Sequence, residues 1–182
     1  MLYIMRHGKT DWNALHKLQG RTDIPLNEEG RLMALKAHEE YKSWNIDVCY
    51  CSSLIRAVET AQIVLKNRGI PIITDERLVE MSFGDYEGIE NSFKIPDCPI
   101  NLIFRKPEEY IESIGGAETF AELFARTGSF LKEVIEPQLQ EGTDILIVGH
   151  GAMNSSIICQ VKNKPIEEFW SAGLEQCKIL QL

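Results

Sequence analysis

Short apolar runs alternate with amphipathic stretches along the whole chain. Apolar, β-prone runs predict strands at residues 2–6, 46–51, 70–74, 145–149 and 174–181. Apolar positions at helical spacing predict helices over 27–43, over a segment ending at Gly69, over a segment opening at Thr119, and over 152–162. This alternation through short loops predicts an α/β fold with three layers: a mainly parallel central sheet with helices on both faces.

Polar residues mark the predicted helix starts. Asn27, ahead of the acidic pair 28–29, is a typical N-cap. Ser52 or Ser53 is expected to cap the next helix. The segment 119–122, Thr-Phe-Ala-Glu, is a capping box.

Residues 83–117 interrupt the alternation, because their periodicity is weak and they are rich in aromatic residues and prolines. One interpretation is a plain surface excursion. We favour a lid over the functional site that determines the substrate. The chain, residues 1–182, is predicted to form one domain with this excursion inserted.

Composition narrows the class of protein. The formal net charge of -8 argues against nucleic acid or an anionic membrane as the main partner. No apolar run approaches the roughly 20 residues that span a bilayer, and the first five residues do not resemble a signal peptide.

The five cysteines are odd in number and scattered, which predicts reduced thiols and a cytoplasmic location. Cys49 and Cys51 lack a second pair of ligands, so no metal site is predicted.

Two predicted strands end in a histidine followed by glycine. The first runs into Arg6-His7-Gly8, and the fourth runs into His150-Gly151. Ligands of parallel sheets bind at the carboxyl ends of strands, so these groups are expected to meet there. Each glycine is expected to leave room for a phosphate beside its histidine. A histidine at a strand end is more often a packing or surface residue, but the paired segments favour a functional site.

These residue types suit phosphoryl transfer. A neutral ring nitrogen of His7 can attack phosphorus, provided that the other nitrogen is held by an acceptor such as a backbone carbonyl. Arg6 and Arg56 can hold phosphoryl oxygens in planar forks, and His150 can add a further donor. Glu80, which has apolar neighbours and is expected to be partly desolvated, is the candidate acid for the leaving group.

Several ordered segments resemble the histidine phosphatase superfamily, the phosphoglycerate-mutase-like group. The segments that carry the resemblance are Leu2-Tyr-Ile-Met-Arg-His-Gly-Lys-Thr-Asp-Trp-Asn13, Gln19-Gly-Arg-Thr-Asp-Ile-Pro-Leu26, Ser52-Ser-Leu-Ile-Arg-Ala-Val-Glu-Thr-Ala61, Gly115-Gly-Ala-Glu-Thr119 and Val148-Gly-His-Gly151. Together they extend over nearly the whole chain. The resemblance implies a metal-independent, cofactor-free and mostly cytosolic enzyme acting on a small phosphorylated metabolite.

The resemblance also implies roles for individual residues. His7 would be the phosphorylated nucleophile, Arg6, Arg56 and His150 would form the phosphate pocket, and Glu80 would donate the proton.

By the same comparison Asn13 would hydrogen-bond the phosphate, and Gln19 and Gly20 would line the substrate side, with Gly151 also in the binding set. Lys9 stands where many members have Glu, which is expected to alter the rim of the pocket and to leave the chemistry intact.

Three functions remain open. The stretch Met81-Ser-Phe-Gly-Asp-Tyr-Glu-Gly88 is similar to the phosphatase branch, including α-ribazole and sugar-phosphate phosphatases, and favours a phosphoric monoester hydrolase. The alternatives are a phosphoglycerate-type phosphomutase and a non-catalytic module that binds a phosphorylated ligand. The sequence leaves the ester substrate and the oligomeric state open.

Overall fold

Strand β1, Leu2–Arg6, is apolar on both faces because helices cover the sheet on both sides. The computed structural model describes residues 1–182. Tyr3 and Met5 point into one buried cluster, while Leu2 and Ile4 point into another. Successive side chains of a strand point to opposite faces. A continuous apolar run is therefore what a strand of a doubly covered sheet requires.

The predicted α/β architecture is confirmed. Five strands form one sheet in the order β3-β2-β4-β1-β5, in which β5 runs antiparallel to β1 and the other pairs are parallel. The elements in chain order are β1 Leu2–Arg6, α1 Asp11–Ala14, α2 Glu28–Tyr41, β2 Val48–Cys51, α3 Ile55–Val64, β3 Ile72–Thr74, α4 Leu102–Arg105, α5 Phe120–Phe130, α6 Glu136–Gln140, β4 Ile145–Gly149, α7 Gly151–Val161 and β5 Ile179–Gln181.

Each face of the sheet is covered by its own pair of helices. Helices α2 and α3 pack on one face through small residues such as Ala34, Ala37, Ala57 and Ala61. Helices α5 and α7 cover the other face, where Phe130 and Ile157 lie in the second cluster. A π-helical segment, Leu131–Ile135, joins α5 to α6, so the helix that the capping box opens extends beyond its predicted apolar stripe.

Some predicted boundaries are wrong. The prediction that Ser52 or Ser53 caps α3 fails, because Leu54 occupies the N-cap position and makes no side-chain cap. Ser52 Oγ instead accepts the Leu54 N–H at 3.2 Å. Helix α3 ends at Val64, before the predicted Gly69. Strand β5 is also shorter than predicted, at three residues.

Residues 83–117 form short helical turns with a core of their own. Their buried side chains include Ile100, Ile103 and Tyr110, which pack with Phe120 of α5 and with Phe169. The weak sequence periodicity follows from these turns, since no single helix or strand continues long enough to repeat. The segment packs beside the carboxyl edge of the sheet, and its action as a lid stays a prediction.

The five cysteines are all buried free thiols. None of the helices combines the length and the apolar character that crossing a bilayer requires.

Gly30 allows the start of α2 to approach the loop after β1. A Cβ at Gly30 would lie 2.0 Å from the Lys9 carbonyl oxygen.

We therefore expect Gly30→Ala to lower the free energy of unfolding by about 2 kcal/mol, although alanine ordinarily favours a helix interior by about 1 kcal/mol. Urea denaturation measures the change. Gly128→Ala in α5 is the matched control, since the added Cβ there meets only the flexible end of Gln160. Equal effects of the two substitutions would contradict this account.

Candidate active site

The register of β1 against β4 brings the two strand-end histidines together. Arg6 pairs with Gly149, and the His7 N–H donates to the Gly149 carbonyl at 2.9 Å. The next residue in each chain segment is a histidine, so His7 and His150 lie side by side with ring centroids 5.1 Å apart. Both are buried, at 3% and 0% exposed. The predicted meeting of these groups at the carboxyl edge of the sheet is confirmed.

The tautomer of His7 is set by its own loop. Nδ1 lies 2.6 Å from the Gly8 carbonyl oxygen. A carbonyl only accepts, so Nδ1 carries the proton and Nε2 keeps its lone pair. Burial lowers the pKa of His7 well below its ordinary value, and the charges of Arg56 and Arg6 lower it further. The ring is therefore neutral and presents an unprotonated nitrogen, as a nucleophile requires.

His150 lies beside His7 and is fully buried. Neither ring nitrogen has a protein partner. Burial lowers its pKa well below the ordinary value, and Arg56 and His7 add to the shift. The ring is neutral, with one N–H and one lone pair available to whatever occupies the space next to His7.

Two arginines converge on the same point from different elements. Arg6 ends β1, and Arg56 lies in the first turn of α3, fully buried. Arg56 donates from Nη2 to Gly20 O at 2.7 Å and from Nη1 to Thr22 O at 2.9 Å. The Nε groups of both arginines are buried without a partner. Burial lowers the pKa of both guanidinium groups, and the Glu80 carboxylate opposes that shift. Unpaired buried cationic donors are suited to an anion.

Glu80 is fixed at the N-terminus of α7. Its Oε1 accepts the N–H groups of Met81 at 2.8 Å and Met153 at 3.0 Å, and its Oε2 accepts that of Ala152 at 3.3 Å. The side chain is 8% exposed, in line with the expected partial desolvation. The carboxylate is thereby aimed at the two arginines, and its position depends on the first turn of α7.

Eight of the nine predicted site residues line a cavity of about 170 Å³. They are Arg6, His7, Asn13, Gln19, Gly20, Arg56, Glu80 and Gly151. His150 is the exception, since it is fully buried beside His7. Asn13 accepts the Gln176 Nε2–H on Oδ1 at 3.0 Å, which leaves its amide N–H groups for a ligand. Gln19 Oε1 accepts the Thr10 hydroxyl at 2.9 Å.

The role expected for Gly8 is wrong. A Cβ at Gly8 would lie 2.7 Å from the Gly30 carbonyl oxygen and 3.3 Å from Cys177 Sγ, so this glycine is needed for packing against α2. Gly151 differs, since a Cβ there would lie 3.7 Å from Glu80 Oε2 and 3.9 Å from Arg6 Cζ, at the cavity wall.

Glu87 is a site residue that the sequence did not single out. Its Oε1 accepts the N–H groups of Arg21 at 3.0 Å and Phe83 at 3.1 Å, and its Oε2 accepts the Thr22 N–H at 2.9 Å. A Cβ at Gly20 would lie 2.0 Å from Glu87 Oε1, so only glycine fits there. Glu87 therefore fixes the loop whose two carbonyls orient Arg56. The only sequence signal was its place in the 81–88 stretch.

A second carboxylate supports the Glu80 segment. Glu118, also unassigned by the sequence, pairs with Arg126 Nε at 2.7 Å and with Arg21 Nη2 at 3.2 Å. The Glu118 N–H donates to Ser82 O at 2.9 Å. These bonds tie the loop after Glu80 to α5 and to the Arg21 loop.

Comparison with known proteins agrees with this arrangement. Residues 2–182 match the family model of the histidine phosphatase superfamily (branch 1). The chain is 31% identical to a 2,3-bisphosphoglycerate-dependent phosphoglycerate mutase of Cytophaga hutchinsonii, over 83% of this chain and 72% of the mutase. It is 32% identical to the uncharacterized phosphatase PhoE of Bacillus subtilis, over 87% of this chain and 75% of PhoE.

A solved structure supports the same assignment. The α-ribazole phosphatase of Shigella flexneri superposes with a TM-score of 0.81 at 26% sequence identity, covering 98% of this chain and 87% of that one. The predicted resemblance to this family and fold is confirmed.

The two buried histidines predict a loss of stability in mild acid. Their pKa values are lowered in the folded state, so below about 6.5 the unfolded chain takes up protons that the folded chain refuses. The contribution of the two histidines to the free energy of unfolding is therefore constant above that pH and falls below it, by at most about 1.4 kcal/mol per pH unit for each histidine. Urea denaturation between about pH 7 and about pH 5 measures the slope. A His7→Gln, His150→Gln double variant should have a flatter profile, and an unchanged slope would contradict the assignment.

Glu87→Gln should weaken anion binding through Arg56. The amide keeps one acceptor and places a donor against backbone N–H groups, so the Gly20 and Thr22 carbonyls shift. We expect the dissociation constant for inorganic phosphate, measured by calorimetry, to rise about tenfold. Glu76→Gln, at an exposed carboxylate, is the matched control. In an Arg56→Ala background the Glu87 substitution should add little, and full additivity would show that Glu87 does not act through Arg56.

Proposed function

Because the chain belongs to the histidine phosphatase superfamily (branch 1), we propose that it hydrolyses small phosphomonoesters through a phosphohistidine on His7. Membership and relatives indicate phosphatase or mutase activity. The observation that carries the proposal is a neutral His7, with its tautomer fixed by Gly8, facing unpaired guanidinium donors in one small cavity.

In the first step, the lone pair on His7 Nε2 attacks phosphorus in line with the ester bond. The Glu80 carboxylate takes the proton of the bound monoanionic ester and passes it to the leaving oxygen, as the P–N bond forms and the bond from phosphorus to the ester oxygen breaks. Glu80 is then a carboxylate again, and the product alcohol departs. The Nδ1–H bond to Gly8 O supports the positive charge that develops on the imidazole.

In the second step, water attacks the phosphorus of the phosphohistidine. The Glu80 carboxylate takes the proton of that water, the P–N bond breaks, and its electron pair returns to His7. Inorganic phosphate leaves with the proton that Glu80 took from the water, and both residues regain their starting protonation states.

The transferring phosphoryl group is stabilised by donors that have no protein partner. The Nε–H groups of Arg6 and Arg56 and the amide N–H groups of Asn13 surround the cavity. Each hydrogen bond involving a charged group contributes about 1.5–3 kcal/mol net. The arginine donors are buried and in position before the ester binds, so they favour the transition state. His150 adds a donor beside His7.

Hydrolysis is favoured over mutase chemistry by the stretch 81–88, which is similar to the phosphatase branch. The C. hutchinsonii mutase aligns with this chain over 72% of the mutase. The phosphomutase remains the second candidate, since that mutase is among the similar relatives. We further propose a cytoplasmic location, in accord with five free thiols, and metal-independent catalysis.

Steady-state hydrolysis of a panel of phosphomonoesters in EDTA tests the proposal, with the wild type beside His7→Ala. The panel includes p-nitrophenyl phosphate, α-ribazole phosphate, sugar phosphates and 3-phosphoglycerate. We expect turnover that EDTA leaves unchanged and vanadate inhibits, with a loss of about 10³-fold or more in His7→Ala. His38→Ala, which removes a histidine bonded to Val64 O outside the site, is the control and should retain activity.

Each alternative result of this experiment would contradict a different part of the proposal. Activity surviving in His7→Ala would remove His7 as the nucleophile. Loss of activity in EDTA, restored by a divalent ion, would contradict metal-independent catalysis. Faster phosphoglycerate isomerisation than hydrolysis would make the chain a mutase, and silence from a folded wild type would favour a non-catalytic module.

A further inference from the structure

A second, larger cavity adjoins the phosphoryl cavity. Its volume is about 890 Å³, and it shares Arg6, Asn13, Lys17 and Leu18 with the smaller one. A volume of about 170 Å³ suits little more than the phosphoryl group, whereas ligand-sized sites have about 300–1,000 Å³. The leaving alcohol of a bound ester therefore extends into the larger cavity.

The larger cavity is cationic in a protein of net charge -8. Arg6, Lys9, Lys17 and Lys94 line it, against the single carboxylate of Glu175. Lys9 is neutralised by Glu29, which lies 2.9 Å away. Lys17 and Lys94 form no ion pair, and the Lys17 ammonium instead lies 5.8 Å from the centroid of the Trp12 ring. The excess positive charge is local, and neither Lys17 nor Lys94 has a carboxylate within ion-pairing distance.

The wall that carries Lys17 is fixed by backbone hydrogen bonds to the segment that leads to Lys94. The Leu18 N–H donates to Ile89 O at 3.1 Å, and the Asn91 N–H donates to His16 O at 2.9 Å. The turn Ser92–Lys94 follows directly. The backbone segments that carry the two lysines are therefore joined by hydrogen bonds to each other. Both lysines are attached to ordered backbone before a ligand binds.

A buried cationic donor without a partner also indicates an anionic ligand. Arg6 borders both cavities, and its Nε has no partner. Phe93 supplies an apolar surface beside Lys94, stacked against Phe104 of the phosphoryl cavity at a centroid distance of 5.5 Å.

We infer that the preferred esters carry a second anionic group, a carboxylate or a further phosphate, on a leaving group of about sugar size, and that Lys17 and Lys94 bind it. This inference rests on the proposed function, because it names the class of substrate for the same site. A leaving group without charge would leave both ammonium groups unpaired, whereas an anionic one pairs them. The enzyme therefore selects among esters by the charge of the leaving group, which Lys17 and Lys94 contact away from the reacting phosphorus.

Two pairs of esters matched in carbon number test the inference. One pair is 6-phosphogluconate and glucose 6-phosphate, and the other is 3-phosphoglycerate and glycerol 3-phosphate. We expect kcat/KM for the anionic member to exceed that for the neutral one by about tenfold, and more for the six-carbon pair, which reaches further into the larger cavity. Added salt should reduce the ratio, since the lysines are solvent-accessible.

Lysine variants are compared by the ratio of kcat/KM for the anionic ester to that for the neutral ester, and not by activity alone. Lys17→Gln and Lys94→Gln should each lower the anionic-to-neutral ratio of kcat/KM by up to about fivefold, the effect of one exposed ion pair. Lys162→Gln, an exposed lysine at the end of α7, is the matched control and should leave the ratio unchanged. Equal rates within each ester pair, or a ratio that none of the variants moves, would overturn the inference and leave the proposed phosphatase function intact.

A binding measurement separates the two proposals when turnover is absent. Calorimetry with His7→Ala should give tighter binding of 6-phosphogluconate than of glucose 6-phosphate, and Lys94→Gln in that background should reduce the difference. Tighter binding without turnover in the wild type would contradict the phosphatase and support the subsite. Equal binding of the two esters would overturn the subsite.

Discussion

The parallel register of β1 with β4 is the constraint on which the site depends. It aligns Arg6 with Gly149, so the two following histidines lie in contact at the carboxyl edge of the sheet. A slip of one residue would turn the side chains of β1 to the opposite faces and bury the wrong set. The apolar residues on both faces of β1 therefore determine where the imidazole of His7 lies, and packing energy fixes the geometry of the chemistry.

Placing two arginines and two histidines in one buried volume carries an electrostatic cost, and three carboxylates reduce it. Glu80 offsets the guanidinium charge directly, while Glu87 and Glu118 fix the loops that carry its neighbours. The histidines respond by staying neutral, because burial and the arginines lower their pKa values. The phosphoryl group of the proposed substrate would supply the negative charge that this volume lacks. The same balance leaves His7 with an unprotonated ring nitrogen and suits the site to an anion.

The sequence predicted the features that depend on local pattern, and it missed those that depend on contacts between distant segments. Strand ends, the Asn27 cap and the 119–122 capping box are local, and the structure confirms them. Glu87 bonds to a loop 65 residues away in the chain, a contact for which the sequence has no periodic signal. The predicted serine cap of α3 failed because Ser52 bonds to Leu54 before the helix begins.

The most direct test of the central claim is to trap the intermediate. The enzyme would be mixed with a labelled phosphomonoester, quenched within a turnover in base, where phosphohistidine survives, and mapped by peptide mass spectrometry. The account predicts one phosphoryl group, lost in acid, on the peptide that contains His7, and none in His7→Ala. A phosphoryl group on another residue, or turnover that proceeds with no phosphoenzyme at any quench time, would contradict it.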